Sequence, residues 1–142
     1  MDYIIKFTEE IDQFDRLVIN ASLMRDGQEI TTSIKHIKSG TAINPVKEQM
    51  ATTLLANALY IPEHNLDIVF ITEDFDSGCQ LGLGAKLVKN GKPISRIAER
   101  FAKRKSVKKG KYYYFDDDFN ISEEAEEQTR QRLTQKLLNQ IH

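Results

Sequence analysis

Apolar and polar residues alternate in two stretches of the chain that are closely similar. The apolar positions are 17, 19, 21 and 23 in the first stretch and 81, 83, 85 and 87 in the second. A period of two predicts a β-strand with one buried face. Each stretch is followed by a dipeptide that tolerates positive φ, Asp26-Gly27 and Asn90-Gly91. We therefore expect a tight hairpin turn after each strand.

The two stretches belong to a longer internal similarity. A shift of 64 residues aligns 3–34 with 67–98 without a gap, and both turn glycines coincide. A short β-branched and aromatic segment precedes each stretch, YIIKF in one copy and LDIVFI in the other, which is typical of a strand. Chance alignment of two alternating patterns is the alternative. The gapless match favours an internal duplication, with repeats at about 1–64 and 65–142.

Each predicted repeat ends in a segment with helical periodicity. In residues 44–60, Asn44 is the expected N-cap and Pro45 the first helical residue. The second helix is expected to open at Ser122, with acidic residues in its first turn and an apolar stripe through Leu133 and Leu137. The predicted fold is α+β, with two pseudo-symmetric β-β-β-α repeats forming an antiparallel sheet with helices packed on it. We expect one domain covering residues 1–142.

The segment KPISRIAERFAKR, residues 92–104, fits two structures. It should be a strand if it copies QEITTSIKHI of the first repeat. However, Ile94, Ile97, Ala98 and Phe101 recur at helical spacing. We expect a strand at its start and a helix after it.

The composition is that of an ordinary globular protein and argues against a membrane protein. The 142 residues are 40% hydrophobic and 29% charged, which is enough to bury a core. No apolar run approaches the ~20 residues of a transmembrane helix, and the N-terminus lacks a signal-peptide pattern. Cys79 is the single cysteine, so no intrachain disulfide can form. We expect a cytoplasmic protein that does not enter a membrane.

Charge is strongly segregated although the formal net charge is only −1. Residues 86–111 contain eleven Lys or Arg and one acid, and four aromatic residues follow at 112–115. Cations contact phosphates, and aromatic rings stack on the bases of single strands. The candidate nucleic-acid-binding residues are Lys89, Arg96, Arg100, Lys103, Arg104, Lys105, Lys108, Lys109, Lys111, Tyr112 and Tyr114. At the level of architecture, paired sheet-plus-helix repeats are similar to those of Whirly-type single-stranded-DNA-binding proteins, although no motif is shared residue by residue.

Other interpretations of the basic segment stay open. A solvated strand that buries alternate tyrosines would have no binding role. The segment could instead grip a protein partner or block a nucleic-acid channel, as in an accessory or inhibitor protein of a phage or other mobile element. Self-association through edge strands or C-terminal helices would give a homo-oligomer.

The sequence offers little for catalysis. Asp116–Asp118 and the acids of residues 73–76 could hold Mg²⁺ only with ligands from elsewhere in the chain. The three histidines are scattered, and no nucleophile stands beside a base. We therefore expect a non-enzymatic protein with no metal or other cofactor, and the favoured function is binding of single-stranded DNA or RNA.

Overall fold

The computed structural model describes residues 3–75, 80–109, 112–119 and 123–141, with 74–75, 102–109 and 112–119 described by their backbone. The elements are β1 (Ile4–Ile11), β2 (Leu17–Arg25), β3 (Gln28–Ile37), α1 (Ile43–Ala56), β4 (Ala58–Ile61), β5 (Leu66–Phe75), β6 (Gln80–Lys89), β7 (Lys92–Lys109), β8 (Tyr112–Phe119) and α2 (Glu123–Asn139). In this part of the chain the strands form two antiparallel sheets, ordered β1-β2-β3 and β4-β5-β6-β7-β8. The predicted α+β class is confirmed.

Contacts divide the chain into two compact units. Unit 1 comprises Met1–Asp67 and Val88–Lys92, and unit 2 comprises Ile68–Leu87 and Pro93–His142. The strand order β1-β2-β3 of unit 1 matches β5-β6-β7 after the 64-residue shift, whereas β4 and β8 have no counterpart. The pseudo-symmetric repeat and the single domain stay predictions.

In unit 1, β2 is the central strand and pairs antiparallel with both neighbours. Ile19, Ala21 and Leu23 of its predicted apolar face are fully buried. Helix α1 covers this face and buries Met50 and Leu54 against it. The apolar residues that alternate along β2 therefore form part of the core of this unit.

Both ends of α1 differ from the prediction. The helix begins at Ile43 with Ala42 as N-cap, so Asn44 is not the cap, and no side chain caps the helix. It ends at Ala56, and residues 58–61 form β4 instead of a last helical turn. Pro62 explains this change, because the residue before a proline is driven towards an extended backbone. Pairing of β4 with β5 then outweighs the helical spacing of the apolar residues.

Strand β6, of which residues up to Leu87 belong to unit 2, is more deeply buried than its alternation predicts. Leu81, Leu83, Ala85 and Leu87 are buried as expected, but Gly82, Gly84 and Val88 on the opposite face are buried as well. The prediction of one buried face is therefore wrong for this strand. Helix α2 contributes the buried side chains Thr129, Leu133 and Leu137, while its predicted cap Ser122 lies outside the described residues.

Strand β7 runs without interruption over residues 92–109, so the helix predicted within 93–104 is wrong. Exposure alternates along it, with Arg96 and Ala98 exposed and Ile97 and Glu99 half-buried. The half-buried side contacts α2, since Ser95 Oγ donates to Gln140 Oε1 at 2.7 Å and Glu99 Oε1 accepts from Arg132 Nε at 3.0 Å. Strand pairing and these contacts outweigh the local helical spacing.

Both predicted hairpin turns are confirmed. Asp26 has φ 54° and Gly27 φ 76°, and Asn90 has φ 52° and Gly91 φ 76°. All four residues occupy the left-handed region, which asparagine, aspartate and glycine tolerate better than other residues. Each turn therefore joins its two strands through two residues.

Candidate nucleic-acid interface

The basic and aromatic segments form adjacent strands. Strand β7 has eighteen residues, whereas β6 before it has ten, so β7 is longer than its hairpin partner. The C-terminal part of β7 pairs antiparallel with β8, with Lys108 opposite Tyr113 and Lys109 opposite Tyr112. The backbone thus brings the predicted cations and the predicted aromatic residues into one two-stranded segment, which we call the β7–β8 ribbon (residues 102–109 and 112–119).

The ribbon contains one irregularity and one sheet edge. The register shifts between Arg104 and Ser106, where three residues of β8, Asp116–Asp118, stand opposite the single residue Lys105 of β7, as in a β-bulge or similar irregularity. Bulges increase local twist and are frequent at sheet edges and near functional sites. β8 is the last strand in its sheet order, so its second side has no neighbouring strand within the described ranges.

The side chains of three predicted cations are described. Lys89 is exposed at the end of β6, beside the Asn90-Gly91 turn. Arg96 and Arg100 occupy alternate, exposed positions of β7. Because the intervening residues of this strand contact α2, both arginines lie on the face of β7 that points away from that helix.

Arg96 is already engaged by an acid that the sequence did not reveal. Its guanidinium forms an ion pair with the carboxylate of Glu73 in β5. The same carboxylate lies over Gly84, where an added Cβ would stand 2.5 Å from Glu73 Oε1. Glycine at position 84 therefore leaves the space that this carboxylate occupies. It follows that Arg96 adds less positive potential than its sequence position indicates.

The remaining predicted residues are placed by their backbone. Residues Lys103, Arg104, Lys105, Lys108, Lys109, Tyr112 and Tyr114 lie in the β7–β8 ribbon. Lys111 lies outside the described residues. Residues Tyr112–Phe119 form strand β8, while the predicted burial of alternate tyrosines lies outside the described side chains.

The most deeply buried charges lie elsewhere, in unit 1. Arg25 donates from Nε and Nη2 to the two carboxylate oxygens of Asp67, at 2.8 and 2.7 Å. Tyr3 donates its hydroxyl proton to Asp67 Oδ1 at 2.6 Å, and the Tyr60 ring lies 3.9 Å from the Arg25 guanidinium carbon. Burial, with the hydrogen bond to Asp67 adding to it, raises the pKa of Tyr3 far above its ordinary value.

The guanidinium of Arg25 has several acceptors in this cluster. The hydrogen bonds that it donates to Asp67 raise the pKa of Arg25, which keeps the guanidinium charged. Arg25 Nη2 also lies 3.4 Å from Asn65 Oδ1, and Nη1 donates to Asp26 Oδ2 at 3.0 Å, so the guanidinium is surrounded by acceptors. The signal in the sequence was Asp67 itself, an acid within the apolar strand LDIVF. Its partner could not be named, because it lies 42 positions earlier.

Among the described side chains, no group of three or more His, Cys, Asp or Glu residues could hold a metal ion. The candidate acids Asp74, Asp76 and Asp116–Asp118 lie outside that set. No helix in the described ranges is long and apolar enough to cross a membrane.

No protein family, curated protein or solved structure matches this chain.

Proposed function

We propose that the protein binds nucleic acid along the β7–β8 ribbon, with single-stranded DNA or RNA favoured. The register supports this proposal, because it makes Lys108 a cross-strand neighbour of Tyr113 and Lys109 a cross-strand neighbour of Tyr112. Single-strand binding needs cations along the phosphate backbone and aromatic rings on which bases stack. The ribbon offers both residue types at adjacent positions.

Each part of the ribbon has its own role in this proposal. The cations of β7 neutralise phosphates, and Tyr112 and Tyr114 stack on bases. Arg100 extends the positive strip along β7, while Arg96 contributes after its exchange of Glu73 for a phosphate. Binding of this kind needs neither a catalytic residue nor a cofactor.

The test is fluorescence anisotropy of labelled single-stranded DNA, duplex DNA and RNA at several salt concentrations. If about five phosphates are neutralised, log K should fall with a slope of roughly −3.5 against log[salt] for a single strand. In the ribbon variant, Lys103, Arg104, Lys105, Lys108 and Lys109 are changed together to Gln. We expect it to remain folded and to lose most of this binding.

A matched pair of variants separates the ribbon from general charge effects. Lys105, Lys108 and Lys109 are changed to Gln in one protein, and Lys6, Lys35 and Lys38 of unit 1 in the other. Both lose three positive charges. The first should reduce the salt slope by about 2 and the second should leave it unchanged.

Two results would count against the proposal. Equal binding by wild type and the folded ribbon variant would place the interface elsewhere. No binding of any nucleic acid by folded wild-type protein would favour the alternative, a protein-binding accessory or inhibitor, and a pull-down with wild type and ribbon variant would follow.

A further inference from the structure

Unit 1 contains an apolar groove beside helix α1. Its volume is about 490 Å³. Pro45, Val46, Met50 and Leu54 supply apolar walls from the helix. The other lining residues are Ser33, Lys35, Thr41, Ala42, Gln49 and Thr53.

The groove results from the way α1 packs on its sheet. The helix lies mainly over the central strand β2 and reaches the third strand, β3, less extensively. Ser33 and Lys35 lie opposite Ala21 and Ile19, so they belong to the sheet face that α1 covers. Because the helix leaves these two positions partly uncovered, a space remains between the helix flank and β3.

The strand that borders the groove is an edge strand. β3 has ten residues and pairs with β2 on one side. In the order β1-β2-β3 it has no further neighbour among the residues that the structure describes. Residues 32–36 read Thr-Ser-Ile-Lys-His, and Ile34 is 62% exposed. A long exposed edge of this kind is a template for another strand.

We propose that an extended segment of a partner protein pairs with the free edge of β3 and places its alternate side chains in the groove. A strand added at an edge lies ~4.8 Å from its neighbour and continues the same sheet face. Its inward residues would therefore face the flank of α1. Main-chain hydrogen bonds would supply affinity and the groove would supply specificity, as in other cases of strand addition.

The lining indicates the chemistry of that segment. Val46, Met50 and Leu54 favour aliphatic side chains at the inward positions. Lys35 is the one charged residue among the groove-lining residues, so an inward acidic residue opposite it is favoured. The expected pattern is an aliphatic residue and an acidic residue two positions apart.

A second copy of this chain fits the edge less well. The C-terminal half of β3 contains Lys35 and His36, and Lys38 follows it. Pairing two copies through this part of the strand would bring like charges together, which destabilises cross-strand pairs. The proposal concerns unit 1 and is independent of nucleic-acid binding by the ribbon.

The test begins with a phage-displayed library of random twelve-residue peptides, selected on the full chain. Each enriched peptide is synthesised and measured by isothermal titration. Thr53→Trp fills the groove from an exposed helix position, and the matched control is Thr52→Trp on the neighbouring exposed position, which does not line the groove. Circular dichroism checks that both variants are folded.

The expected result has three parts. Enriched peptides alternate aliphatic and acidic residues at inward positions, and Thr53→Trp weakens their binding at least about tenfold while Thr52→Trp does not. Methylation of a peptide amide that pairs with β3 weakens binding at least about fivefold, because a main-chain hydrogen bond is lost. Lys35→Gln weakens binding about two- to fivefold, whereas Lys6→Gln has no effect.

Each contrary result would overturn the proposal in a different way. If no peptide is enriched on wild type relative to Thr53→Trp, the groove is not a peptide-binding site. If methylation of the peptide amides weakens binding at no position, the peptide does not bind by strand addition. Concentration-dependent self-association of wild type that Thr53→Trp abolishes would make a second copy the occupant. An apolar dye bound in the groove that no peptide displaces would identify a small-molecule site.

Discussion

The guanidinium of Arg25 and the carboxylate of Asp67 form a bidentate ion pair, with N–O distances of 2.8 and 2.7 Å. Their side chains are only 3% and 1% exposed. Arg25 ends β2, and Asp67 lies at the start of β5, where the chain has just completed the β4–β5 turn. Tyr3 and Tyr60 complete the surroundings of the pair. The interaction therefore ties three distant parts of the chain together.

Removal of one partner of this pair should be strongly destabilising. Arg25→Met leaves the Asp67 carboxylate buried without its counter-charge. Asp67→Leu leaves the Arg25 guanidinium without its buried carboxylate partner and with Asp26 as its remaining acidic neighbour. We expect each to lower the free energy of unfolding by about 3–5 kcal/mol. The double variant Arg25→Met/Asp67→Leu should recover much of this loss, because no uncompensated charge remains. Urea denaturation of all four proteins gives the coupling energy.

A more exposed pair provides the control for this experiment. Lys47 Nζ lies 2.9 Å from Glu9 Oε1, with side chains 28% and 45% exposed. Lys47→Met should change the free energy of unfolding by less than about 1 kcal/mol. Losses of equal size at Lys47 and Arg25 would show that burial does not govern the cost.

The buried hydroxyl of Tyr3 predicts a pH dependence in alkaline solution. Burial raises the pKa of Tyr3 well above its ordinary value of 10.0. Above pH 10 the unfolded chain therefore loses the proton while the folded chain keeps it, so folding stability falls as pH rises. The loss approaches 1.4 kcal/mol for each further pH unit. Tyr3→Phe removes this contribution, so its free energy of unfolding should fall less steeply above pH 10.

Absorbance at 295 nm checks the same prediction directly. Folded wild type and folded Tyr3→Phe should ionise the same number of tyrosines up to pH 11. In about 8 M urea, which unfolds most small proteins, wild type should ionise one more tyrosine than Tyr3→Phe does. A difference between the two folded proteins near pH 10 would show that Tyr3 is accessible to hydroxide.

The contact between Glu73 and Gly84 should respond to a single methyl group. Gly84→Ala would place Cβ 2.5 Å from Glu73 Oε1, so the carboxylate must move away from its ion pair with Arg96. We expect a loss of at most about 1 kcal/mol in the free energy of unfolding, because the main cost is that of the displaced, partly exposed ion pair between Glu73 and Arg96. Glu73→Ala added to Gly84→Ala should restore part of the loss. Equal stability of Gly84→Ala and wild type would show that Glu73 can move without cost.

Adjacent leucines in α1 test how the helix packs. Leu54 is 8% exposed and Leu55 is 46% exposed. Leu54→Ala should lower the free energy of unfolding by about 2–5 kcal/mol, because it leaves a cavity under the helix. Leu55→Ala should cost less than about 1 kcal/mol. Thermal and urea unfolding of both variants measure the difference, and a reversed order would mean that α1 is rotated on its sheet.

The local parts of the fold could be predicted from the sequence. The Asp26-Gly27 and Asn90-Gly91 turns depend on the backbone preferences of two residues each, and alternation along β2 depends on neighbouring positions. The same holds for the cations and tyrosines of the β7–β8 ribbon, which are consecutive in the chain. Their arrangement as paired strands follows from the register, which the sequence did not specify.

Features that depend on distant partners could not be predicted. The helical spacing of Ile94, Ile97 and Phe101 is a real local signal, but pairing in the sheet and contacts with α2 outweigh it. The ion pair of Arg96 with Glu73 and that of Arg25 with Asp67 join different strands. No spacing rule links such positions. The groove beside β3 likewise exists only after α1 has packed over β2.

Burial of β6 on both faces determines where the slowest amide hydrogen exchange should occur. The amides of Leu83, Ala85 and Leu87 lie in a central strand, paired on both sides and covered above and below. Such amide protons exchange with deuterium when the whole unit unfolds, whereas those of an edge strand such as β1 exchange through local fraying. The exchange rates of individual amides in β6 would therefore each measure the global stability of unit 2 without any denaturant.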